Sequence, residues 1–244
     1  MMEFTPDRYE MLVRTEQTHF WFRARRSMLL ELIRRFCPKP VETLADIGCG
    51  SGYNLTHLQA YGEHLVGIDR LVLLSPHMKT LAPDTQLIAG DVQELPLGNE
   101  SVDMMTSLDV LEHVDDHKML KELSRTLKPH SVLFITVPAI PWLWSSRDIL
   151  AGHKRRYTKT ALTQVLEQAG FSIKYVNYHQ FLLFPLVVVS RYLGKKKQRQ
   201  MHEENPGKIT NQVLLKISMM ENWLAKRGVK FPWGSSLVVV AQKR

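Results

Sequence analysis

The chain has 244 residues, of which 44% are hydrophobic and 23% are charged. This composition excludes a disordered or fibrous protein, and the length allows one α/β domain with insertions rather than two large domains. The net charge of +8 is distributed unevenly. Residues 1–150 carry 15 Lys and Arg against 20 Asp and Glu, whereas residues 151–244 carry 17 against 4. The basic part could face an anionic substrate, a nucleic acid or an acidic lipid surface, or simply be solvated.

The two cysteines, Cys37 and Cys49, show no disulfide-framework spacing and have no neighbouring His or Cys to complete a zinc site. The sequence therefore predicts no metal site. Few cysteines and no pairing fit a reducing compartment. The segment Met1–Asp7 lacks the basic start and apolar run of a signal peptide. We expect a cytoplasmic protein.

A series of strands and helices is predicted along the chain. Apolar residues at helical spacing predict an amphipathic helix over His19–Phe36, and Pro38 and Pro40 end it before the strand Val41–Ile47. Further strands are predicted at His64–Asp69, Gln86–Asp91, Val102–Ser107, Ser131–Val137 and Phe171–Tyr178. Because helical patterns alternate with these strands, we expect a parallel sheet covered by helices on both faces.

Two of the connecting helices have recognisable ends. One begins at Asp115 or Asp116, and another begins at Thr158 or Thr160 and ends at Gly170. These residue types cap helix N-termini with a side-chain oxygen, or end a helix by adopting positive φ.

The remaining C-terminal segments are less regular. Residues 139–157 look too irregular for a helix and too long for a simple connection, which suggests a functional loop. A last helix is predicted before the final strand Ser236–Ala241. Its apolar residues on one face are Val213, Ile217, Met220 and Leu224.

A glycine-rich turn follows the first predicted strand. It reads Asp46-Ile47-Gly48-Cys49-Gly50-Ser51-Gly52 and precedes a short helical pattern at residues 54–58. Glycines permit positive φ and close backbone approach, so a nucleotide-like ligand could lie against the turn and the following helix N-terminus. The dinucleotide pattern G-x-G-x-x-G would require a glycine where this chain has Tyr53.

The spacing D-x-G-x-G-x-G resembles motif I of class I S-adenosylmethionine (SAM)-dependent methyltransferases. The resemblance implies a Rossmann-like α/β fold with a seven-stranded, mostly parallel sheet, an antiparallel last strand and helices on both faces. It also implies SAM as cofactor and S-adenosylhomocysteine as product. The expected organisation is a helical cap at 1–40, a SAM-binding core at 41–138, a substrate loop at 139–160, and the rest of the sheet at 161–244 with an apolar and basic insertion at 179–210.

Several residues are candidates for holding the cofactor. Asp69 lies about 20 residues beyond the glycines, where an acid can accept ribose hydroxyls. The resemblance implies that Asp91 bonds the adenine amino group, that Val92 packs on the ring, and that Leu108 covers its other side. Asp46 is expected to hold the methionine moiety, and Arg25 or Arg26 could bind its carboxylate. The predicted cofactor-binding set is Asp46, Gly48, Gly50, Gly52, Asp69, Arg70, Asp91, Val92, Leu108 and Arg25.

The predicted chemistry needs no nucleophilic triad, because SAM carries an activated methyl group and the protein mainly aligns an acceptor with it. We favour O-methylation, for which a general base would help. Asp109, His113 and His153 are the candidates, and a structural role is the alternative for His113.

The stretch Gly152–Tyr157 resembles a segment of type 11/12 bacterial methyltransferases, whose acceptors are often sugars, lipids or quinones. We therefore expect a small-molecule acceptor, anionic or lipid-linked. The alternatives are that the basic residues of this loop are solvated and that Trp144 simply packs in the core. The candidate substrate contacts are Trp144, His153, Arg155, Arg156 and Tyr157.

The apolar run Phe181–Val189 is too short to span a bilayer, but basic residues follow it up to Arg199. An apolar run followed by basic residues predicts peripheral membrane contact through residues 181–199. The alternative is a buried helix followed by an exposed basic turn.

Two other functions stay open. An RNA or other nucleic-acid methyltransferase fits the basic C-terminal part, but no Asn/Asp-Pro-Pro-Tyr-type motif or interleaved aromatic residues support it, so nucleic acid is disfavoured. A regulatory protein could keep the SAM site without catalysis. The acceptor atom and the oligomeric state do not follow from the sequence.

Overall fold

The computed structural model of the chain describes residues 13–70, 84–194 and 206–244. Seven strands form one sheet in the order β3-β2-β1-β4-β5-β7-β6. The strands are β1 Val41–Ile47, β2 Gly62–Asp69, β3 Thr85–Ala89, β4 Val102–Leu108, β5 Leu127–Pro138, β6 Phe171–His179 and β7 Ser236–Lys243. All neighbouring pairs are parallel except the two that include β7, which is antiparallel to β5 and to β6. The predicted sheet, including its antiparallel last strand, is confirmed.

Helices cover both faces of the sheet, as predicted. Their bounds are α1 Phe20–Phe36, α2 Leu55–Leu58, α3 Asp116–Thr126, α4 Ser146–Leu150, α5 Lys159–Gln168, α6 Phe184–Gly194 and α7 Lys208–Lys226, with 3-10 helices at Leu111–His113 and Pro141–Leu143. One core cluster packs α3 and α5 against one face, and a second packs α1 and α2 against the other. Alternate residues of β1 divide between them, because Leu44 belongs to the second cluster and Ala45 to the first.

The helix ends follow the expected capping chemistry. The carboxylate of Asp115 accepts a hydrogen bond from the N–H of Lys118 at 3.1 Å, and the Thr158 hydroxyl accepts one from the N–H of Ala161 at 3.1 Å. The structure therefore selects Asp115 over Asp116 and Thr158 over Thr160. These caps fix where the connections leave the carboxyl edge of the sheet.

The short helix predicted after the glycine turn at residues 54–58 is present as α2. Two other expectations need correction. Residues 139–157 are more regular than expected, since they contain the 3-10 helix Pro141–Leu143 and α4, whose N-terminus is closed by a capping box of Ser145 and Asp148.

The second correction concerns α7, whose fully buried residues are polar, while the predicted apolar face is half-buried at Ile217 and Leu224 and exposed elsewhere. Ser218, Glu221 and Asn222 are buried, whereas Val213 and Met220 are 50% and 52% exposed. The amide of Asn222 donates to the carbonyl of Ala24 in α1 at 2.9 Å, so hydrogen bonds dock this helix.

Some predictions lie partly outside the described residues. These are the N-terminal segment of the helical cap and the basic residues Lys195–Arg199 of the insertion. Among the described residues, no helix has both the length and the apolar character needed to cross a membrane.

Candidate active site

The glycine turn, Gly48–Gly52, is fixed against the neighbouring strand. Gly48, Gly50 and Gly52 have φ values of 73°, 56° and 80°, which explains why glycine occupies all three positions. A Cβ on Gly48 would lie 2.4 Å from a methyl group of Val110, so no larger residue fits there. The N–H groups of Gly48 and Cys49 donate to the carbonyl of Ile68 at 2.7 and 3.1 Å. The turn is therefore a rigid shelf at the carboxyl ends of β1 and β2.

Asp69 lies at the end of β2, directly beside this shelf. Its carboxylate accepts a hydrogen bond from the N–H of Gly50 at 3.0 Å. The pyrophosphate of a dinucleotide sits at the N-terminus of a helix. Here the helix after the turn, α2, has only four residues, and a contribution of its N-terminus to ligand binding stays a prediction. SAM contains no phosphate, so this turn suits it better than a dinucleotide.

Asp46, the residue before the last of β1, is 1% exposed. The Thr106 hydroxyl donates to its Oδ1 at 2.5 Å, whereas its Oδ2 has no hydrogen-bond partner among the described residues. Burial raises the pKa of Asp46 to about 6. A buried carboxylate oxygen without a donor would gain from a ligand's ammonium group, so the residue fits the methionine moiety of SAM.

The predicted adenine contacts surround the carboxyl ends of β3 and β4. Asp91 accepts a hydrogen bond from the N–H of Gln93 at 2.9 Å and pairs with Arg70. Burial alone would raise the pKa of Asp91, but these hydrogen bonds lower it overall. Val92 and Leu108 are 8% and 7% exposed. Asp91 therefore keeps its charge, and two apolar side chains are packed nearby in the core.

Arg25, on α1, contacts the same edge of the sheet. It is 9% exposed, its guanidinium pairs with Asp109 just after β4, and it lies 4.5 Å from the centre of the Trp21 ring. Asp109 has a φ of 58°. The arginine proposed for the SAM carboxylate and the carboxylate proposed as a base thus contact each other in this structure.

Glu16 is a site residue that the sequence reading missed, because no pattern surrounds it. It is 7% exposed, and the Ser51 hydroxyl of the glycine turn donates to its carboxylate. Burial raises the pKa of Glu16 to about 7, although the charges of Arg25 and Arg26 lower it. Arg26 in turn lies 4.7 Å from the centre of the Tyr53 ring. Glu16 therefore ties the N-terminal segment to the ligand shelf.

Asp148 is a second missed residue and organises the loop after β5. Its carboxylate accepts hydrogen bonds from Arg156 Nε at 2.7 Å, from Arg191 at 2.6 Å and from His153 Nδ1 at 3.0 Å. Burial would raise the pKa of Asp148, but the hydrogen bonds from His153 and Arg156 lower it well below its usual range. The Ser-x-x-Asp spacing of the capping box was the available sequence signal.

The other predicted substrate residues make contacts inside the protein. Arg155 pairs with Asp116 at 2.5 Å, and the Tyr157 hydroxyl donates to the same carboxylate at 2.9 Å. Arg156 and Tyr157 are 8% and 3% exposed, so they brace the loop instead of forming an open cationic surface. Trp144 is 36% exposed and Arg155 keeps a partly exposed side chain. Contact of any of these residues with a substrate stays a prediction.

The predicted catalytic histidines come together beside Asp109. The rings of His113 and His153 are 4.8 Å apart, centre to centre, and nearly perpendicular. Glu112 lies next to them, fully buried, with one carboxylate oxygen 3.9 Å from His153 Nε2. Burial and the charge of Asp109 raise the pKa of Glu112 well above its usual value. This cluster contains the groups needed to activate an acceptor hydroxyl.

Comparison with known proteins agrees with this geometry. The sequence profile of the family described as "Methyltransferase domain" matches residues 45–135, which include the glycine turn, Asp69, Asp91 and Glu112. This segment is therefore similar to a methyltransferase domain. A solved SAM-dependent methyltransferase from Mesorhizobium loti has the same fold, with a TM-score of 0.58, 16% identity, and coverage of 87% of this chain and 96% of that one.

Two mycobacterial relatives and a further solved structure are also similar to this chain. A probable SAM-dependent methyltransferase of Mycolicibacterium smegmatis is 27% identical over 161 residues, which cover 65% of this chain and 62% of the relative. One of Mycobacterium tuberculosis is 26% identical, covering 63% of this chain and 56% of the relative. The match thus spans somewhat more than half the length of these relatives. A phosphoethanolamine N-methyltransferase of Haemonchus contortus, solved with SAM, has a TM-score of 0.58 and 18% identity, with coverage of 89% and 52%.

Replacing Glu16 with glutamine should make stability less dependent on pH. The folded protein holds the Glu16 proton up to about pH 7, and burial is the largest cause. The unfolded chain releases it near its ordinary pKa of about 4.3, so folding stability falls as the pH rises between these values. From pH 5 to pH 8, the free energy of unfolding of Glu16→Gln should rise by on the order of 2 to 3 kcal/mol relative to that of the parent.

Urea unfolding at several pH values measures this difference. Asp46, whose pKa is also raised, is present in both proteins, so a difference between their profiles reports the removal of Glu16 and of its interaction with Asp46. Glu63→Gln, at an exposed position in β2, is the matched control and should follow the parent. Parallel stability profiles for Glu16→Gln and the parent would contradict the assignment.

Proposed function

We propose that this protein is a SAM-dependent methyltransferase that transfers a methyl group to a hydroxyl of a small-molecule acceptor. The observation that carries the proposal is the pair of carboxylates Asp46 and Asp69 at the ends of adjacent parallel strands, with the rigid glycine turn beside them. Ligands of open α/β sheets bind outside the carboxyl ends of the strands. The family match over residues 45–135 supports the choice of SAM.

SAM would supply the activated methyl group, and the product would be S-adenosylhomocysteine. In the proposed arrangement, Asp69 accepts ribose hydroxyls, and Asp46 Oδ2 accepts a hydrogen bond from the methionine ammonium. Asp91 receives the adenine amino group, while Val92 and Leu108 contact the ring. Gly48, Gly50 and Gly52 keep the shelf free of side chains, and Arg70 holds Asp91 in its ionised form.

Arg25 is placed to contact both the cofactor and Asp109 on the acceptor side. Its guanidinium has several N–H donors, so it can keep its contact with Asp109 and still donate to the SAM carboxylate. Burial against the Trp21 ring limits its side-chain freedom, which favours a defined geometry. We therefore assign Arg25 a positioning role between cofactor and acceptor.

Activation of the acceptor hydroxyl is assigned to Asp109, His113 and His153. Because the ionised Asp148 carboxylate is only an acceptor, it favours the His153 tautomer with hydrogen on Nδ1. The Nε2 lone pair then faces Glu112 and the end of β4. Asp109, at a positive-φ position after β4, is the third polar group at this point.

Two observations bear on the identity of the acceptor. A malonyl-[acyl-carrier protein] O-methyltransferase of Dechloromonas aromatica is 35% identical over 111 residues, covering 41% of each chain. This similarity favours an oxygen acceptor. The partly exposed Trp144 and Arg155 lie on the substrate loop, which fits an anionic or lipid-linked molecule.

Replacing Asp69 with alanine should weaken SAM binding, because the charged hydrogen bonds to the ribose are lost. We expect a loss of about 1.5–3 kcal/mol, or roughly 10-fold to 100-fold in affinity, by calorimetry. Asp84→Ala removes an exposed carboxylate just before β3 and is the control, with unchanged affinity expected.

Two outcomes would count against the proposal. Equal affinity of the Asp69→Ala variant and the parent would mean that the ribose does not bind at Asp69. SAM binding without transfer of a tritiated methyl group to lipid, sugar or RNA fractions would favour the regulatory alternative, and transfer to RNA alone would favour a nucleic-acid methyltransferase.

We further propose that α6 contacts a membrane surface. Leu186 and Val189 on this helix are 53% and 52% exposed, and nearby Trp142, whose ring contacts that of Phe184, is 61% exposed. Exposed apolar side chains followed in sequence by Lys195–Lys197 combine insertion with attraction to anionic lipids.

A double substitution, Leu186→Ser with Val189→Ser, should reduce binding to anionic lipid vesicles severalfold in a sedimentation assay at low salt. The exposed apolar residues insert into the lipid surface, and this part of the binding does not depend on the charges that salt screens. Ile149→Ser, at another exposed apolar position, is the control and should bind like the parent. No binding of the parent to acidic vesicles would contradict the membrane role.

A further inference from the structure

Three potential metal ligands meet at the carboxyl edge of the sheet. Glu112 and His113 come from the 3-10 helix after β4, and His153 comes from the loop after α4. One ligand atom from each lies within 4.8 Å of the other two. Residues from two separate segments therefore face a common point beside the proposed acceptor position.

Glu112 is fully buried, and neither of its carboxylate oxygens has a hydrogen-bond partner among the described residues. Arg25 and Arg156 lie near enough for their charges to act on Glu112, but their ion pairs are with Asp109 and Asp148. A buried carboxylate in this situation is stabilised by a cation.

His153 is already oriented for metal binding. Its Nδ1 is hydrogen-bonded to the Asp148 carboxylate at 3.0 Å, and its Nε2 atom lies 3.9 Å from a Glu112 oxygen. A carboxylate bonded to the far nitrogen of a ligating histidine is a frequent arrangement in metal sites, because it fixes the ring and its tautomer. The contacts of Asp148 with Arg156 and Arg191 hold that carboxylate in place.

We propose that Glu112, His113 and His153 bind a divalent transition-metal cation, with Zn²⁺ as the best match. Two imidazoles and one carboxylate suit Zn²⁺ and leave a fourth position open. Ligand atoms around a tetrahedral zinc lie about 3.4 Å apart, so the three side chains must close by roughly 1 Å around the ion. The sequence reading, which considered only the cysteines, missed this site.

The inference extends the proposed function and, for its catalytic consequence, rests on it. A cation at this point would lower the pKa of an acceptor hydroxyl bound at the open position. The hydroxyl proton would pass to Asp109 or to water, the oxygen would bond to the methyl carbon, and the C–S electron pair would return to sulfur. With His113 and His153 bound to the metal, Asp109 is the one of the three candidate bases that stays available to accept a proton.

Zn²⁺ titration of chelator-treated full-length protein tests the binding claim without any substrate. The parent should bind one equivalent that competes with a chromogenic chelator. Glu112→Gln and His153→Ala should each weaken that binding by more than about 100-fold, and Asp148→Asn by about 10-fold to 100-fold. His117→Ala, an exposed histidine on α3, should have no effect.

Co²⁺ absorption provides an independent readout in the same proteins. The parent should show the intense visible bands of a four-coordinate ion, and Glu112→Gln should lose them while circular dichroism confirms that it folds. Absence of stoichiometric Zn²⁺ binding, or binding that survives both ligand substitutions, would overturn the inference. SAM calorimetry on the metal-free protein separates the claims, because SAM binding without Zn²⁺ binding defeats only the metal site, and the reverse defeats only the proposed function.

Discussion

The balance of buried charge at the carboxyl edge of the sheet is the constraint on which this site depends. Four acidic side chains from three segments lie there, namely Asp46, Asp109, Glu112 and Asp148. Each carboxylate removed from water needs a cation or hydrogen-bond donors. Arg25 pairs with Asp109, and Arg156 and Arg191 pair with Asp148. Among these four, Asp46 and Glu112 have buried oxygens without a hydrogen-bond partner in the described part of the chain, and these are the positions assigned to ligands.

This balance explains why segments outside the family match are part of the site. The helix α1 precedes residues 45–135, yet it supplies Arg25, and Glu16 before it contacts the glycine turn. The loop after β5 supplies Asp148 and His153, and α6 supplies Arg191 to the same carboxylate. The core of the domain contains the glycine turn, and the added segments contribute side chains to the same edge of the sheet. Differences in substrate among related proteins would be expected in these segments.

The sequence predicted what local patterns encode. The alternation of strands and helices and the helix caps at Asp115 and Thr158 followed from periodicity and short-range hydrogen bonding. The number of strands and the antiparallel last strand were implied by the family resemblance. The buried face of α7 was predicted wrongly, because its docking depends on hydrogen bonds from Asn222 to α1, which hydrophobic spacing does not reveal. Glu16 and Asp148 were missed for a related reason, since their partners lie far away in sequence or look like ordinary surface charges.

A crystal structure with bound S-adenosylhomocysteine would show whether the cofactor occupies the assigned site. The ribose hydroxyls should lie within hydrogen-bond distance of Asp69, and the amino group of the homocysteine part should reach Asp46 Oδ2. The glycine turn should contact the nucleoside, with Leu108 against the adenine. A nucleoside bound elsewhere, or a folded protein that takes up neither SAM nor its product at saturating concentration, would contradict this assignment.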